Sequence, residues 1–187
     1  MDLLKWFEKG LTEDQYISNM EVNRDALLHI LNEFTVDDND QSFFEQLKGQ
    51  KLKVIVLTED WCGDAMLNVP ILLKLAKEID TSVRFLYRDQ NLELMDQYLT
   101  NGTSRAIPIF IFIDEEGAEK AVWGPRAQGI QQMVNEKRSA LPPKDHEDFE
   151  AKQKEMFKEL TAAYQSEPGL WREVYQSIKT TLTERLW

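Results

Sequence analysis

Short apolar runs separated by longer stretches of helical periodicity limit the folds open to this chain. KLKVIVLT (51–58) and SVRFLY (82–87) flank a helical apolar pattern at 66–79, and IPIFIFID (107–114) precedes the turn EEG and the run EKAVW (119–123). β-branched and aromatic runs of this length are typical of strands, and the EEG turn indicates a hairpin. The first two strands should be parallel because a helix connects them. The sequence therefore predicts one sheet built from strands 51–57, 82–87, 108–113 and 119–123.

Helical patterns surround these strands on both sides in the sequence. Their alternation with the strands predicts an α/β fold, a mixed β-sheet flanked by helices. Thr12 is the candidate N-cap of the first helical region. Three segments are predicted: an N-terminal helical extension (1–39), a central α/β domain (40–138) and a C-terminal helical extension (139–187). With the helical pattern at 66–79, helices are predicted over 3–34, 41–48, 92–99, 127–137, 147–165 and 169–186.

Charge and hydropathy exclude several classes of partner. The formal net charge is -11, from 33 acidic and 22 basic side chains. This charge repels phosphate backbones and anionic lipid surfaces, so we expect no nucleic acid and no membrane partner. The longest apolar runs are also far shorter than the ~18 residues of a membrane span.

A single cysteine, Cys62, indicates the compartment. It cannot form an internal disulfide, and the N-terminal MDLLKWFEKG is too short and too charged for a signal peptide. We therefore expect a reducing, cytoplasmic location. A cysteine in the first turn of a helix also meets unpaired backbone N–H groups and the positive end of the helix dipole. Both favour the thiolate, which is the nucleophilic form.

Two sequence motifs carry a family resemblance. Trp61-Cys62-Gly63 follows the first strand, Pro70 lies in the next predicted helix, and SRAIPIF (104–110) opens the third strand. Together they resemble the active-site helix and the cis-proline strand of the thioredoxin superfamily. The resemblance implies a thioredoxin-like fold over residues 40–138.

The resemblance also implies roles for single residues. It identifies Cys62 as the catalytic nucleophile and makes Pro108 a cis-proline beside it. A cis bond would leave the carbonyl and N–H of Ile107 free to pair with an extended substrate. The implied substrate-binding residues are Trp61, Gly63, Asp64, Ile107 and Pro108, with Trp61 as an exposed contact surface.

Departures from the family pattern restrict the chemistry. Dithiol thioredoxins carry a second cysteine three residues after the first, and this chain has Ala65 there. Val56 occupies a position where relatives often carry a buried acid. The carboxylate of Asp64 opposes thiolate formation, so the net shift of the Cys62 pKa has no predicted sign.

Three functions remain open at this point. The first is a monothiol protein in which Cys62 exchanges with a disulfide and an external thiol, from a protein or a small molecule, releases it. The second is a thioredoxin-like protein-interaction module in which Cys62 has no catalytic role. The third is an iron–sulfur carrier that shares a cluster between two copies. The first needs no cofactor and no metal.

A homodimer is also open, because the predicted C-terminal helices carry large aromatic side chains. If Trp171, Tyr175 and Trp187 stay exposed after packing, a second copy or a protein partner should cover them.

Overall fold

The computed structural model describes all 187 residues. It contains four strands and nine α-helices, with one-turn 3₁₀ segments at Asp38–Asp40 and Arg88–Gln90. The strands are β1 (Lys53–Thr58), β2 (Ser82–Tyr87), β3 (Ile109–Ile113) and β4 (Glu119–Trp123). The helices are α1 (Leu3–Lys9), α2 (Glu13–Asn19), α3 (Arg24–Glu33), α4 (Gln41–Gly49), α5 (Gly63–Glu78), α6 (Leu92–Met95), α7 (Gln128–Ser139), α8 (Phe149–Ser166) and α9 (Pro168–Leu186).

The strands form one mixed sheet in the order β2-β1-β3-β4. β1 pairs parallel with β2 and antiparallel with β3, and β3 and β4 pair antiparallel. Val56 in β1 lies opposite Phe85 on one side and Phe110 on the other. The predicted α/β class, a mixed sheet flanked by helices, is confirmed.

The prediction of continuous helix over residues 3–34 is wrong, because the chain forms three short helices there. Thr12 does cap a helix, α2, through a capping box with Gln15. Leu11, just before it, pairs with Phe85 and extends the sheet beyond β2. A second break falls at Asn23, which has left-handed backbone with φ 61°. The strand-like Leu11 pairing is non-local, so helical periodicity alone does not reveal it.

The helix predicted over 92–99 is also too long. α6 ends at Met95, and hydrogen-bonded turns continue the chain to a short bridge between Thr100 and Ser104. The apolar spacing that favoured a longer helix arises because Leu94 and Met95 are buried and Tyr98, in the turns that follow, also packs against the core.

The terminal helices pack on the sheet and on α5. α3 and α9 both contact α5, and α9 also contacts β4. The carboxylate of Asp40 anchors α9 by accepting hydrogen bonds from Tyr175 and Lys179. Buried apolar side chains from all three predicted segments form one cluster of 50 residues. The boundaries at 39/40 and 138/139 therefore stay a prediction.

The aromatic side chains of α9 are mostly covered by this packing. Trp171 and Tyr175 are buried, and Trp187 alone of the three is exposed. The exposed aromatic surface that would have indicated a second copy is thus reduced to one side chain. None of the nine helices combines the length and apolar content needed to cross a lipid bilayer.

Candidate active site around Cys62

Cys62 stands at the junction between strand and helix. β1 ends at Thr58, and Cys62 is the N-cap of α5 with extended backbone. Its Sγ accepts the backbone N–H of Ala65 at 3.4 Å. The sulfur therefore satisfies one of the unpaired N–H groups that every helix start presents.

The loop before β3 supplies the second contact of the sulfur. The Ile107–Pro108 peptide bond is cis, and the Cys62 thiol donates to the Ile107 carbonyl at an Sγ–O distance of 3.5 Å. This carbonyl therefore already accepts one hydrogen bond inside the protein, and its pairing with an extended substrate stays a prediction. The carbonyl provides an acceptor for the thiol, which is a weak hydrogen-bond donor.

A second cis bond, Gly124–Pro125, lies against the first loop. Gly124 has φ +128°, and a Cβ there would lie 2.2 Å from the Pro108 carbonyl oxygen, so only glycine fits. The Pro125 carbonyl accepts a hydrogen bond from Asn68 Nδ2 at 2.9 Å, which ties the loop to α5. These contacts place Arg126 beside the start of α5.

Arg126 forms a two-point ion pair with Asp64. Its Nε donates to Oδ1 at 2.9 Å and its Nη2 lies 2.6 Å from Oδ2. The Tyr164 hydroxyl also donates to Asp64 Oδ1, at 3.0 Å, and Arg126 Nη1 donates to Gln131 at 2.9 Å. Burial and then the Asp64 carboxylate raise the pKa of Tyr164, so it remains a neutral donor. The charge of Asp64 is thereby compensated within the protein.

The electrostatic balance at the sulfur favours the protonated thiol. Burial raises the pKa of the Cys62 thiol to about 11, and the Asp64 carboxylate acts in the same direction. The N–H groups of Ala65 and Asp64 and the Arg126 guanidinium oppose this shift without cancelling it. The shift of the Cys62 pKa, whose direction the sequence did not predict, is therefore upward, since desolvation outweighs the effect of the helix start.

The loop between α2 and α3 contacts the segment that leads into Cys62. Asp60 accepts the backbone N–H of Glu21 at 2.8 Å, and its own carbonyl accepts Asn23 Nδ2 at 3.0 Å. Glu59, which is buried, accepts the backbone N–H of Asp89 at 2.9 Å. Asp60 and Glu59 thus bind backbone and side-chain groups of neighbouring segments.

A pocket of about 360 Å³ opens over Cys62, between the start of α5 and helix α8. α8 packs closely, because a Cβ on Gly63 would lie 3.1 Å from Thr161 Cγ2. Cys62 itself is only 8% exposed. The pocket is lined by Trp61, Cys62, Gly63, Asp64, Arg126, Val134, Phe157, Leu160, Thr161 and Tyr164.

The structure gathers most of the predicted site residues. Trp61, Cys62, Gly63 and Asp64 line the pocket, and the Trp61 indole is 51% exposed with the Arg88 guanidinium over its ring. Ile107 and Pro108 are buried behind the sulfur, where the carbonyl of Ile107 makes the contact. Their roles in substrate binding stay predictions.

Sequence reasoning missed the residues that approach from distant segments. Arg126 follows the Gly124–Pro125 bond, and a Gly-Pro pair is typical of a turn but does not indicate an ion pair. Phe157 and Leu160 lie in the helix predicted over 147–165, and the sequence does not indicate that this helix borders Cys62. Leu160 is buried, whereas Phe157 is 45% exposed at the rim of the pocket.

Comparisons with solved structures agree with the overall fold. The whole chain aligns with the crystal structure of an HIV epitope scaffold at TM-score 0.67 and 14% identity, over 98% of that chain. It aligns over 89% of its length with a protein of unknown function from Pseudomonas aeruginosa at TM-score 0.63 and 13% identity, over 96% of that chain. At these identities the two structures show the fold alone.

Sequence comparisons give the family. A search of curated proteins finds no significant match. A family model described as thioredoxin matches residues 10–141, which include β1, Cys62, the Ile107–Pro108 bond and α7. The chain therefore belongs to this thioredoxin family.

Proposed function

We propose that this protein exchanges thiols and disulfides through Cys62 and depends on an external thiol to complete each cycle. The observation that carries the proposal is the position of the sulfur. Cys62 Sγ lies at the first turn of α5, beside the Ile107–Pro108 bond, and borders an open pocket. Ala65 occupies the position from which a second cysteine would attack, so no internal group can complete the reaction.

The exchange step conserves atoms and electrons. The Cys62 sulfur attacks one sulfur of a disulfide, so that a new S–S bond forms as the old one breaks. The thiol proton of Cys62 passes, through water, to the departing thiolate. The products are a mixed disulfide on Cys62 and one free thiol. An external thiol then attacks the substrate sulfur of the mixed disulfide, so that a new disulfide between that thiol and the substrate is released while Cys62 leaves and takes up the proton of the attacking thiol.

The raised pKa of Cys62 limits the rate of this reaction. A thiol with a pKa of about 11 is almost entirely protonated at neutral pH, so its reaction with dissolved disulfides should be slow. The N–H of Ala65 and the guanidinium of Arg126 both favour the thiolate and are already in place. Exchange should therefore favour disulfides that the pocket holds against the sulfur long enough to react.

A non-catalytic interaction module is the second candidate. It is favoured by the burial of the protonated thiol together with the half-exposed Trp61 and Phe157 side chains beside it. No comparable observation favours an iron–sulfur carrier, because Cys62 lies beneath α8 rather than at a surface that two copies could share. For the exchange function we propose a reducing, cytoplasmic setting, with protein or small-molecule thiols and disulfides as partners.

The test is intact-mass spectrometry after incubation with bis(2-hydroxyethyl) disulfide. The wild-type protein should gain the mass of one hydroxyethylthio group and lose it when a thiol is added. Cys62→Ser should gain nothing. Absence of an adduct on folded wild-type protein, under conditions that modify the unfolded chain, would leave the interaction module as the better function.

A further inference from the structure

The pocket over Cys62 has two exposed aromatic side chains at its rim. Trp61 comes from the turn before α5 and Phe157 from α8. They are two of only six large hydrophobic side chains that the whole protein exposes. Exposed aromatic groups that face a concave site are typical of surfaces that bind an apolar group.

The inner wall of the pocket is apolar as well. Leu160 is buried at its base, Val134 comes from α7, and Thr161 presents its methyl group toward Gly63. The hydroxyl of Thr161 donates to carbonyls of its own helix, so it is not available to a ligand. A substituent entering here therefore meets mainly carbon atoms.

The charged groups of the pocket are already paired with each other. Nε and Nη2 of Arg126 contact Asp64, and its Nη1 donates to Gln131. The Tyr164 hydroxyl donates to the same carboxylate. A carboxylate on a ligand would meet a guanidinium whose charge the Asp64 carboxylate already compensates, and it would lose its hydration on entry.

We propose that this pocket selects disulfides that carry a bulky, uncharged apolar group next to the sulfur, and that it discriminates against anionic disulfides such as that of glutathione. The inference rests on the proposed exchange at Cys62 and names its substrate class. The substituent lies between Trp61 and Phe157 while its sulfur faces Cys62. A volume of about 360 Å³ accommodates one such group and the adjoining disulfide.

The selected reaction is the exchange already described, with the substituents specified. Cys62 thiol and the disulfide R–S–S–R give the mixed disulfide Cys62–S–S–R and the free thiol R–SH. The Cys62 proton ends on that thiol, and R is the apolar group. Because the resting thiol is protonated, the rate depends on how long a disulfide stays in the pocket. The group R sets that time and therefore controls the rate.

The experiment compares three symmetrical disulfides as probes. They are formed from N-acetyl-phenylalanyl-cysteine amide, N-acetyl-alanyl-cysteine amide and glutathione. The rate of adduct formation on the folded protein is divided by the rate on the urea-unfolded protein, which removes the intrinsic reactivity of each probe. We expect the phenylalanyl probe to exceed the other two by about tenfold on this normalised scale.

Two variants in α8 distinguish an effect of the pocket from a general effect of substituting a residue in that helix. Phe157→Ala should remove most of the preference for the phenylalanyl probe, and Lys154→Ala, at an exposed position outside the pocket, should retain it. Equal normalised rates for the three probes, or a preference that survives Phe157→Ala, would overturn the inference while leaving exchange at Cys62 intact.

A binding measurement distinguishes failure of the inference from failure of exchange. N-acetyl-phenylalanine amide, which has no sulfur, is titrated into the Cys62→Ser variant while amide and indole chemical shifts are followed. Shifts at Trp61 and Thr161 that disappear in a Cys62→Ser, Phe157→Ala double variant support the apolar preference even if no disulfide reacts. Absence of these shifts, with exchange observed on the wild type, contradicts it.

Discussion

The two walls of the pocket over Cys62 come from different parts of the chain. Trp61, Gly63 and Asp64 form one wall and lie in the region matched by the thioredoxin family model. Phe157 and Leu160 form the other and belong to α8, beyond the end of that match at residue 141. One wall therefore lies inside the family match, and the other lies outside it.

The comparison separates two kinds of influence on the sulfur. The family wall supplies the helix start, whose N–H groups lower the pKa of Cys62. The packing of α8 contributes to the burial that raises the same pKa, and it supplies the aromatic rim. Covering the thiol thus reduces its general reactivity and, on our proposal, increases its selectivity.

The largest expected effect tests the family wall. Cys62→Ser should abolish every disulfide adduct, because no other cysteine exists. The serine hydroxyl can accept from Ala65 and donate to Ile107 as the thiol does, so thermal unfolding should shift by only a few degrees, corresponding to about 1 kcal/mol or less. Mass spectrometry and circular dichroism check the two parts. Adduct on the variant would place the chemistry elsewhere.

The second effect is the pH dependence of alkylation at Cys62. With a pKa of about 11, about one thiol in ten thousand is ionised at pH 7, and the rate of iodoacetamide modification should rise about tenfold per pH unit up to about pH 10. The unfolded chain should instead approach its plateau near pH 9, close to the ordinary cysteine pKa. A plateau near neutral pH in the folded protein would contradict the effect that we assign to burial.

The third effect concerns the link between the walls through Asp64, which Arg126 and Tyr164 both contact. Arg126→Gln leaves a largely buried carboxylate without its cation, so we expect a loss of about 3 kcal/mol in the free energy of unfolding. The pKa of Cys62 should rise further. Urea denaturation and alkylation rates measure both.

The Asp64→Asn, Arg126→Gln double variant is the matched control. It removes both charges, so it should recover part of the lost stability and lower the pKa of Cys62 relative to Arg126→Gln alone. Stability losses of the single variants that simply add in the double variant would mean that the two side chains are not coupled.

The smallest effect tests whether α8 packs on the start of α5. A Cβ at Gly63 would press on Thr161 Cγ2, so Gly63→Ala should be more favourable by about 0.5–1 kcal/mol in a Thr161→Ala background than in the wild type. Thermal or urea unfolding of the four proteins gives this coupling. Additive effects would indicate that α8 does not cover Cys62 in solution.

The same division marks what the sequence could predict. The strands and the helix start at Cys62 follow from local patterns, and the family motif pointed to Pro108. The Asp64–Arg126 pair joins residues far apart in the chain, so neither side chain indicates its partner. The sequence predicts the helix that contains Phe157 but does not indicate that this side chain stays half exposed at the pocket over Cys62. The strand-like pairing of Leu11 was not predicted for a similar reason, since it depends on Phe85.

The most direct test of the central claim is the lifetime of a mixed disulfide on Cys62. The hydroxyethylthio adduct is isolated by gel filtration, and its intact mass is followed with and without added thiol. Our account predicts that the adduct persists without thiol and returns to free protein when thiol is added, whereas an Ala65→Cys variant discharges it unaided. An adduct that the wild-type chain releases equally fast in both conditions, or that never forms on the folded protein, would contradict the account.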